Sequence, residues 1–278
     1  MDNVPKFKTA IWRDEASPDN EFLAQKSYCH GYDVYGEMLG QASFSEYILT
    51  LFLGHKPEPD QLYLFDCMAV AIANSGPRDL AIRAAMNSGV GGAPAAANLM
   101  SFLAVASGNY QGSHELQQLV SWFVRFDLDY DKWIIALNAP NTERSREDIW
   151  EKFEHPPGFL PHAQQASQNT HDFLALRGLW NKYPAISWLK QNLENFENTL
   201  GMALGMNFVV AACFYHLGFS PDKAELCSLM LRLPGAAVHS LEAKQQGWKQ
   251  FPFFGQQIEL RNDPGEVGPL PDVSEILP

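Results

Sequence analysis

Acid–base chemistry needs a titratable side chain held beside a polarising donor, and the run Tyr110-Gln111-Gly112-Ser113-His114-Glu115 carries both. Gln111 could orient a carbonyl with Tyr110 and His114 at hand, and His114-Glu115 could act as an acid–base pair. The same residues also read as a helix start, with Gly112-Ser113 at the N-terminus and Glu115 as a first-turn acid favoured by the helix dipole. Both readings stand at this level. His155, His162 and His171 could be imagined around zinc, but the i, i+4 spacing of a helical metal site is missing. The surrounding Gln and Asn supply no thiolate either, so no metal is expected. Gly89-Val90-Gly91-Gly92 has no preceding strand and no following Lys, so it does not read as a phosphate loop. His239, three residues before Glu242, reads as a structural histidine. Cys29, Cys67, Cys213 and Cys227 form no C-x-x-C pair and read as small buried hydrophobes rather than a disulfide framework.

The elements that must position these groups are mostly helical. Ser43-x-x-Glu46 is a capping-box signature before Phe44, Tyr47, Ile48, Leu51 and Phe52, and Gly54 is a stop signal. Pro59-Asp60 opens a second helix to about Ala73, apolar nearly all round. Further helices are predicted near 77–88, 93–107, 113–125, 143–153, 162–181, 185–199, 201–216, 220–232 and 234–247. Strand signals are sparse, and only Gln256–Leu260 alternates, before a Pro/Gly-rich end from Asn262. The chain has 278 residues, 46% hydrophobic, with 18 Phe and 7 Trp, enough apolar material for a sizeable core and too much for disorder. Lys and Arg number 20 against 32 Asp and Glu, so the net charge of -12 disfavours nucleic acid and anionic membranes as partners. No secretory start and no membrane-length apolar run is evident, so a soluble cytoplasmic protein is the expectation. From about Trp122 to Trp188 the sequence is rich in Trp, Asn, Gln and His, between flanks rich in Ala, Leu, Val and Gly. That shift suggests a large helical domain built from both ends of the chain, with a smaller one inserted.

Several segments, read in order, resemble the citrate synthase superfamily, in particular its short citryl-CoA lyase-like branch. His30-Gly31-Tyr32-Asp33-Val34 is similar to R-G-Y-D-[IV], and is followed by Gly40-Gln41-Ala42-Ser43-Phe44-Ser45-Glu46 and Leu53-Gly54-His55-Lys56-Pro57. Pro157-Gly158-Phe159 resembles the start of P-G-[FY]-G-H, and Leu217-Gly218-Phe219 the end of the D-L-G-F helix. Arg232-Leu233-Pro234-Gly235 with His239-Ser240-Leu241-Glu242 resembles A-R-x-x-G…A-H-x-x-E. The resemblance spans most of residues 10–262. It implies an all-α fold, a large dimerisation domain of 1–113 and 204–278, a small helical domain of 114–203, and a homodimer or a heterodimer with a homologue.

The resemblance also implies a chemistry, and this sequence departs from it. Family members deprotonate the α-carbon of an acyl-CoA thioester with a carboxylate, and polarise the reacting carbonyls with histidines. The substrate-binding His of D-H-G falls on Ser75, the His of H-G-G on Gln111, and the catalytic Asp of N-V-D-G on Asn207. The His of P-G-[FY]-G-H falls on Pro161, or on His162 with one inserted residue. The D-P-R arginine has no counterpart in Ala163–Asp172, whereas Arg232 is retained and Lys249 stands for the second C-terminal basic residue. Candidate catalytic residues are thus His162, Asn207, Ser75 and Gln111, and candidate substrate-binding residues are Arg232, His114 and Lys249. An amide cannot be a general base, so ordinary citrate synthase activity is not expected. Two functions remain open: an enzyme of altered C–C bond chemistry on a CoA thioester or carboxylic acid, with CoA as part of the substrate and no resident cofactor, or a non-catalytic ligand sensor or partner subunit.

Overall fold

The structure, a computed structural model, describes residues 8–139, 155–176 and 182–250. The predicted helix at 143–153, the alternating Gln256–Leu260 and the end from Asn262 lie outside those residues, as does part of 162–181. The fold is all-α in class, with two small sheets among the described residues. Strands β1 (Trp12–Ser17) and β2 (Asn20–Cys29) form an antiparallel hairpin across Pro18-Asp19, with Trp12 opposite Cys29, and β3 (Tyr32–Asp33) pairs with the end of β2. The sequence reading missed this hairpin for a physical reason. Both of its faces are exposed over most of its length, so it lacks the apolar/polar alternation of a half-buried strand. Cross-strand pairs hold it instead: the Arg13 guanidinium lies 4.3 Å from the Tyr28 ring centroid, and Ser27 donates to Asp14 at 2.7 Å.

The helices follow their caps. Helix α1 (Phe44–Leu53) starts where Ser43 accepts from the Glu46 amide and ends at Gly54, whose φ of 84° suits a glycine. Next come α2 (Pro59–Ile72), α3 (Leu80–Val90), α4 (Ala95–Ala106), α5 (Ser113–Phe126) and α6 (Tyr130–Asn138). Strand β4 (Phe159–Leu160) precedes α7 (Gln168–Ala175) and α8 (Pro184–Leu200), then pairs with β5 (Ala203–Leu204), before α9 (Met206–His216) and α10 (Pro221–Gln246).

Two differences from the sequence expectation shape the site. The helix expected from 162 begins only at Gln168, because the buried Glu197 carboxylate accepts from the amides of Ala166 (2.7 Å) and Leu204 (3.0 Å) and Ser167 caps α7. Residues 161–167 are thereby held as a loop against β5. The break expected near Pro234 does not occur, and α10 is continuous through it. Proline removes one helical hydrogen bond, and the next amide, Gly235 N–H, points out of the helix to Ala73 O at 2.9 Å. Satisfying the end of α2 in this way offsets the lost ladder, and it pins residues 73–79 against the middle of α10. Gly89 of α3 likewise touches the backbone of Ser240, a contact with no room for a Cβ.

An aromatic core sits behind the site. Phe123 lies 4.6 Å from Trp133 and 5.8 Å from Phe208 between ring centroids, and Trp133 lies 4.9 Å from Phe208. Phe159, Trp188 and Phe196 extend it. A second apolar cluster, mostly alanine, joins α3, α4 and α10 through Ala81, Ile82, Ala85, Phe102, Ala106 and Ala236. Among the described residues no helix is long and apolar enough to cross a membrane.

Candidate active site

A cleft of about 530 Å³ opens where the 74–79 loop and α10 face the N-termini of α5 and α9 and the 158–162 segment. Ser75, Gln111, His162, Asn207 and Arg232 all line it, although they come from five separate stretches of chain. His114 and Lys249 do not. His114 lies on the exposed face of α5, and exposed Lys249 follows α10 with its ammonium 6.0 Å from the ring centroid of its neighbour Trp248.

At the floor of the cleft the first turns of α5 and α9 meet. Phe208 anchors α9 in the aromatic core, which leaves the preceding Asn207 facing the cleft. Its Nδ2 donates to Gly112 O at 3.2 Å and to Glu115 Oε2 at 2.6 Å, so both amide hydrogens are used and the orientation of the amide is fixed. The other oxygen of Glu115, Oε1, accepts from Gly158 N–H at 2.9 Å. Glu115 is 2% exposed and still lines the cleft. Burial pushes its carboxyl above the ordinary range, against the opposing pull of the Gly158 and Asn207 hydrogen bonds and of His155. From the sequence alone Glu115 fits equally an acid–base partner of His114 and a simple first-turn acid. Nothing in local spacing could show that its partner lies on another helix 92 residues away.

The rim is built from strained or pinned backbone. Gln111 has φ of 53°, a left-handed conformation that costs an L-residue about 1 kcal/mol. Gly112 follows because a Cβ there would collide with the carbonyls of Gly108 and Ala106. His162 is exposed, with Nδ1 at 3.4 Å from the Tyr110 hydroxyl, whose ring lies 5.2 Å from that of His155. Opposite, Ser75 sits on the Asn74-Ser75-Gly76 turn. Asn74 Oδ1 accepts from Gly76 N–H and lies 3.0 Å from His239 Nε2, and His239 Nδ1 is 3.7 Å from Glu242.

Arg232 is not a free cation. Its Nη2 donates to Asp79 Oδ2 at 2.7 Å, the two side chains are only 11% and 13% exposed, and Asp79 Oδ1 also caps α3 through the amides of Ala81 and Ile82. Arg78, which the sequence reading passed over, lines the same wall, is exposed and makes no ion pair among the described residues. Arg232→Ala would strand a poorly solvated Asp79 carboxylate, and is expected to cost about 2 kcal/mol of stability in urea unfolding. The double variant Arg232→Ala/Asp79→Asn should recover part of that loss.

No protein-family model matches the chain, and no curated protein sequence matches it. Solved structures do match. Citryl-CoA lyase from Hydrogenobacter thermophilus superposes with a TM-score of 0.68 at 16% identity, over 95% of this chain and 97% of that one. ATP citrate lyase from Methanothrix soehngenii, in complex with citrate and coenzyme A, gives 0.68 at 13% identity, over 94% of this chain and 42% of that one. Citrate synthase from Thermoplasma acidophilum gives 0.55 at 13% identity, over 82% of this chain and 58% of that one. The fold is therefore citrate synthase-like, as the sequence motifs implied, and at these identities the likeness is one of fold.

Proposed function

On this fold, we propose that the chain is an enzyme that binds a CoA thioester or a related carboxylic acid in the 530 Å³ cleft and makes or breaks a carbon–carbon bond there by altered chemistry. The observation that supports this most is the convergence of the polar residues Ser75, Gln111, His162, Asn207 and Arg232 on one cleft. Arg78, without an ion pair among the described residues, supplies a guanidinium for a ligand carboxylate, supplemented by the N–H groups of Arg232 not engaged with Asp79. In this reading CoA belongs to the substrate, and the chain needs no resident cofactor.

The reading includes a dimer, with a second copy or a homologue. Met100, Leu226, Met230, Val238 and Leu241, on α4 and α10, are exposed apolar side chains on the helices that carry one wall of the cleft. A second function has one specific observation in its favour. Asn207 Nδ2 and the Arg232 charge are both already satisfied within the protein, which suits a ligand sensor or partner subunit as well as an enzyme.

Mass spectrometry of purified protein with acyl-CoA and 2-oxo-acid pairs, and with citryl-CoA, tests the choice. The enzyme reading expects CoA release with a new C–C adduct, or cleavage of the adduct, in at least one mixture. No change in any mixture, together with a native mass showing a hetero-oligomer, would favour the partner subunit.

A further inference from the structure

We infer that Glu115 is the proton-transferring group of this cleft and that Asn207 is the residue that positions it. The inference rests on the preceding reading, that a carbon acid such as an acyl thioester binds here. The position where the related fold implies a carboxylate base carries the neutral Asn207, yet a carboxylate oxygen lies 2.6 Å from that amide nitrogen, supplied by a different helix. The base has in effect moved from the start of α9 to the start of α5.

The geometry supports transfer. Each carboxylate oxygen can accept two hydrogen bonds, and Glu115 uses one on Oε1, from Gly158, and one on Oε2, from Asn207. The Gln111 backbone N–H is a further donor to the carboxylate, so of its four acceptor positions one stays open on a side chain that lines the cleft. Asn207 holds the carboxylate by a donor whose direction is fixed through Gly112 O. Around Glu115 the groups are few. His155 is the titratable neighbour from the segment before Gly158, Asn207 and the backbone of Gln111 and Gly158 are uncharged, and on α10 Glu225 meets α5 at Ser113 while Arg232 is paired to Asp79 across the cleft. Burial keeps the carboxyl readier to hold a proton than an exposed glutamate.

The step balances without a co-reactant. Glu115 takes a proton from the carbon α to the thioester carbonyl. The C–H electron pair becomes the enolate double bond, and the carbonyl π pair moves to oxygen. The proton then returns to carbon, or the enolate carbon adds to a second carbonyl. In heavy water the acidic proton on Glu115 exchanges with solvent, so returned hydrogen labels the α-carbon.

Acetyl-CoA and propionyl-CoA incubated with the full chain in heavy water, read by mass, test this. The wild type should incorporate deuterium, with a rate that rises with pH through a midpoint above the ordinary carboxylate range, because only ionised Glu115 accepts a proton. Glu115→Gln should lower exchange by about a hundredfold while the thermal shift produced by the same acyl-CoA persists, and Glu115→Asp should restore part of it. Asn207→Ala removes a hydrogen bond that stabilises the ionised carboxylate, so the midpoint should move to higher pH, which a purely structural role would not cause. Should Glu115→Gln fail to fold, the wild-type and Asn207→Ala profiles decide. Binding without exchange, wild-type exchange in Glu115→Gln, an unmoved midpoint in Asn207→Ala, or exchange abolished by His162→Ala but not by Glu115→Gln would each overturn the assignment while leaving the cleft reading intact. If neither acyl-CoA shifts the melting temperature, the cleft reading fails and the assignment with it.

Discussion

Gly235→Ala is expected to destabilise the protein by about 2–3 kcal/mol and to loosen one wall of the cleft at the same time. A Cβ at this position would stand 2.5 Å from Ala73 O and 2.9 Å from Asn74 Cα, both backbone atoms with no rotamer to change. To admit it, α10 must retreat from the end of α2 and break the 2.9 Å bond from Gly235 N–H to Ala73 O. Overpacking typically costs about 1–3 kcal/mol, and a stranded buried polar group adds about 1–3 kcal/mol. Alanine's helix propensity returns about 1 kcal/mol. The same retreat would free the Asn74-Ser75-Gly76 turn and weaken the contact of Asn74 with His239, so ligand affinity should fall along with stability. Urea unfolding within about 0.5 kcal/mol of wild type would mean that the close approach of α2 and α10 does not exist in solution.

Phe123→Ala should cost more, about 4 kcal/mol, the usual range for emptying a buried aromatic site. Phe123 is fully buried and touches Trp133, Trp188, Phe208 and Tyr215, so its removal leaves a cavity that four rings on three other helices cannot easily fill. Phe123 also lies two turns along the same stripe of α5 as Leu119 and Glu115, with Glu115 at the cleft end and Phe123 in the core. Phe208 stands in the same way behind Asn207. The cleft pair is therefore held by two aromatic anchors that pack on each other. Phe123→Leu, which fills more of the space, should lose clearly less. Equal unfolding free energies for the alanine and leucine variants would contradict this account of the core.

Much of the helical frame was legible because caps are local chemistry. Ser43 with Gly54, and Pro59, mark helix ends within a residue or two through bonds that their own side chains or rings dictate. What stayed hidden is non-local. Pro234 looks like a breaker until Ala73 O is seen to receive the amide of Gly235, a partner 162 residues away in sequence. The hairpin of β1 and β2 escaped because neither face is buried enough to impose a period of two. At the site, motif spacing brought Ser75, Gln111, His162, Asn207 and Arg232 into consideration, and the structure gathers them around one cleft. It also leaves His114 and Lys249 outside and adds Glu115 and Arg78, whose relevance depends on which helices meet rather than on neighbouring letters.

The central claim is that this cleft binds a carboxylic acid or CoA thioester, and a thermal-shift titration tests it most directly. The panel is CoA, acetyl-CoA, further acyl-CoAs, citrate, oxaloacetate and other dicarboxylates, each against the wild type and Ser75→Trp, whose indole would fill the cleft from an exposed turn. A ligand at about 100 times its dissociation constant adds about 2.7 kcal/mol to the folded state, a rise of several degrees in Tm. The account predicts such a rise for at least one ligand in the wild type, and its loss in Ser75→Trp. A flat response across the panel, or an equal rise in the blocked variant, would contradict it.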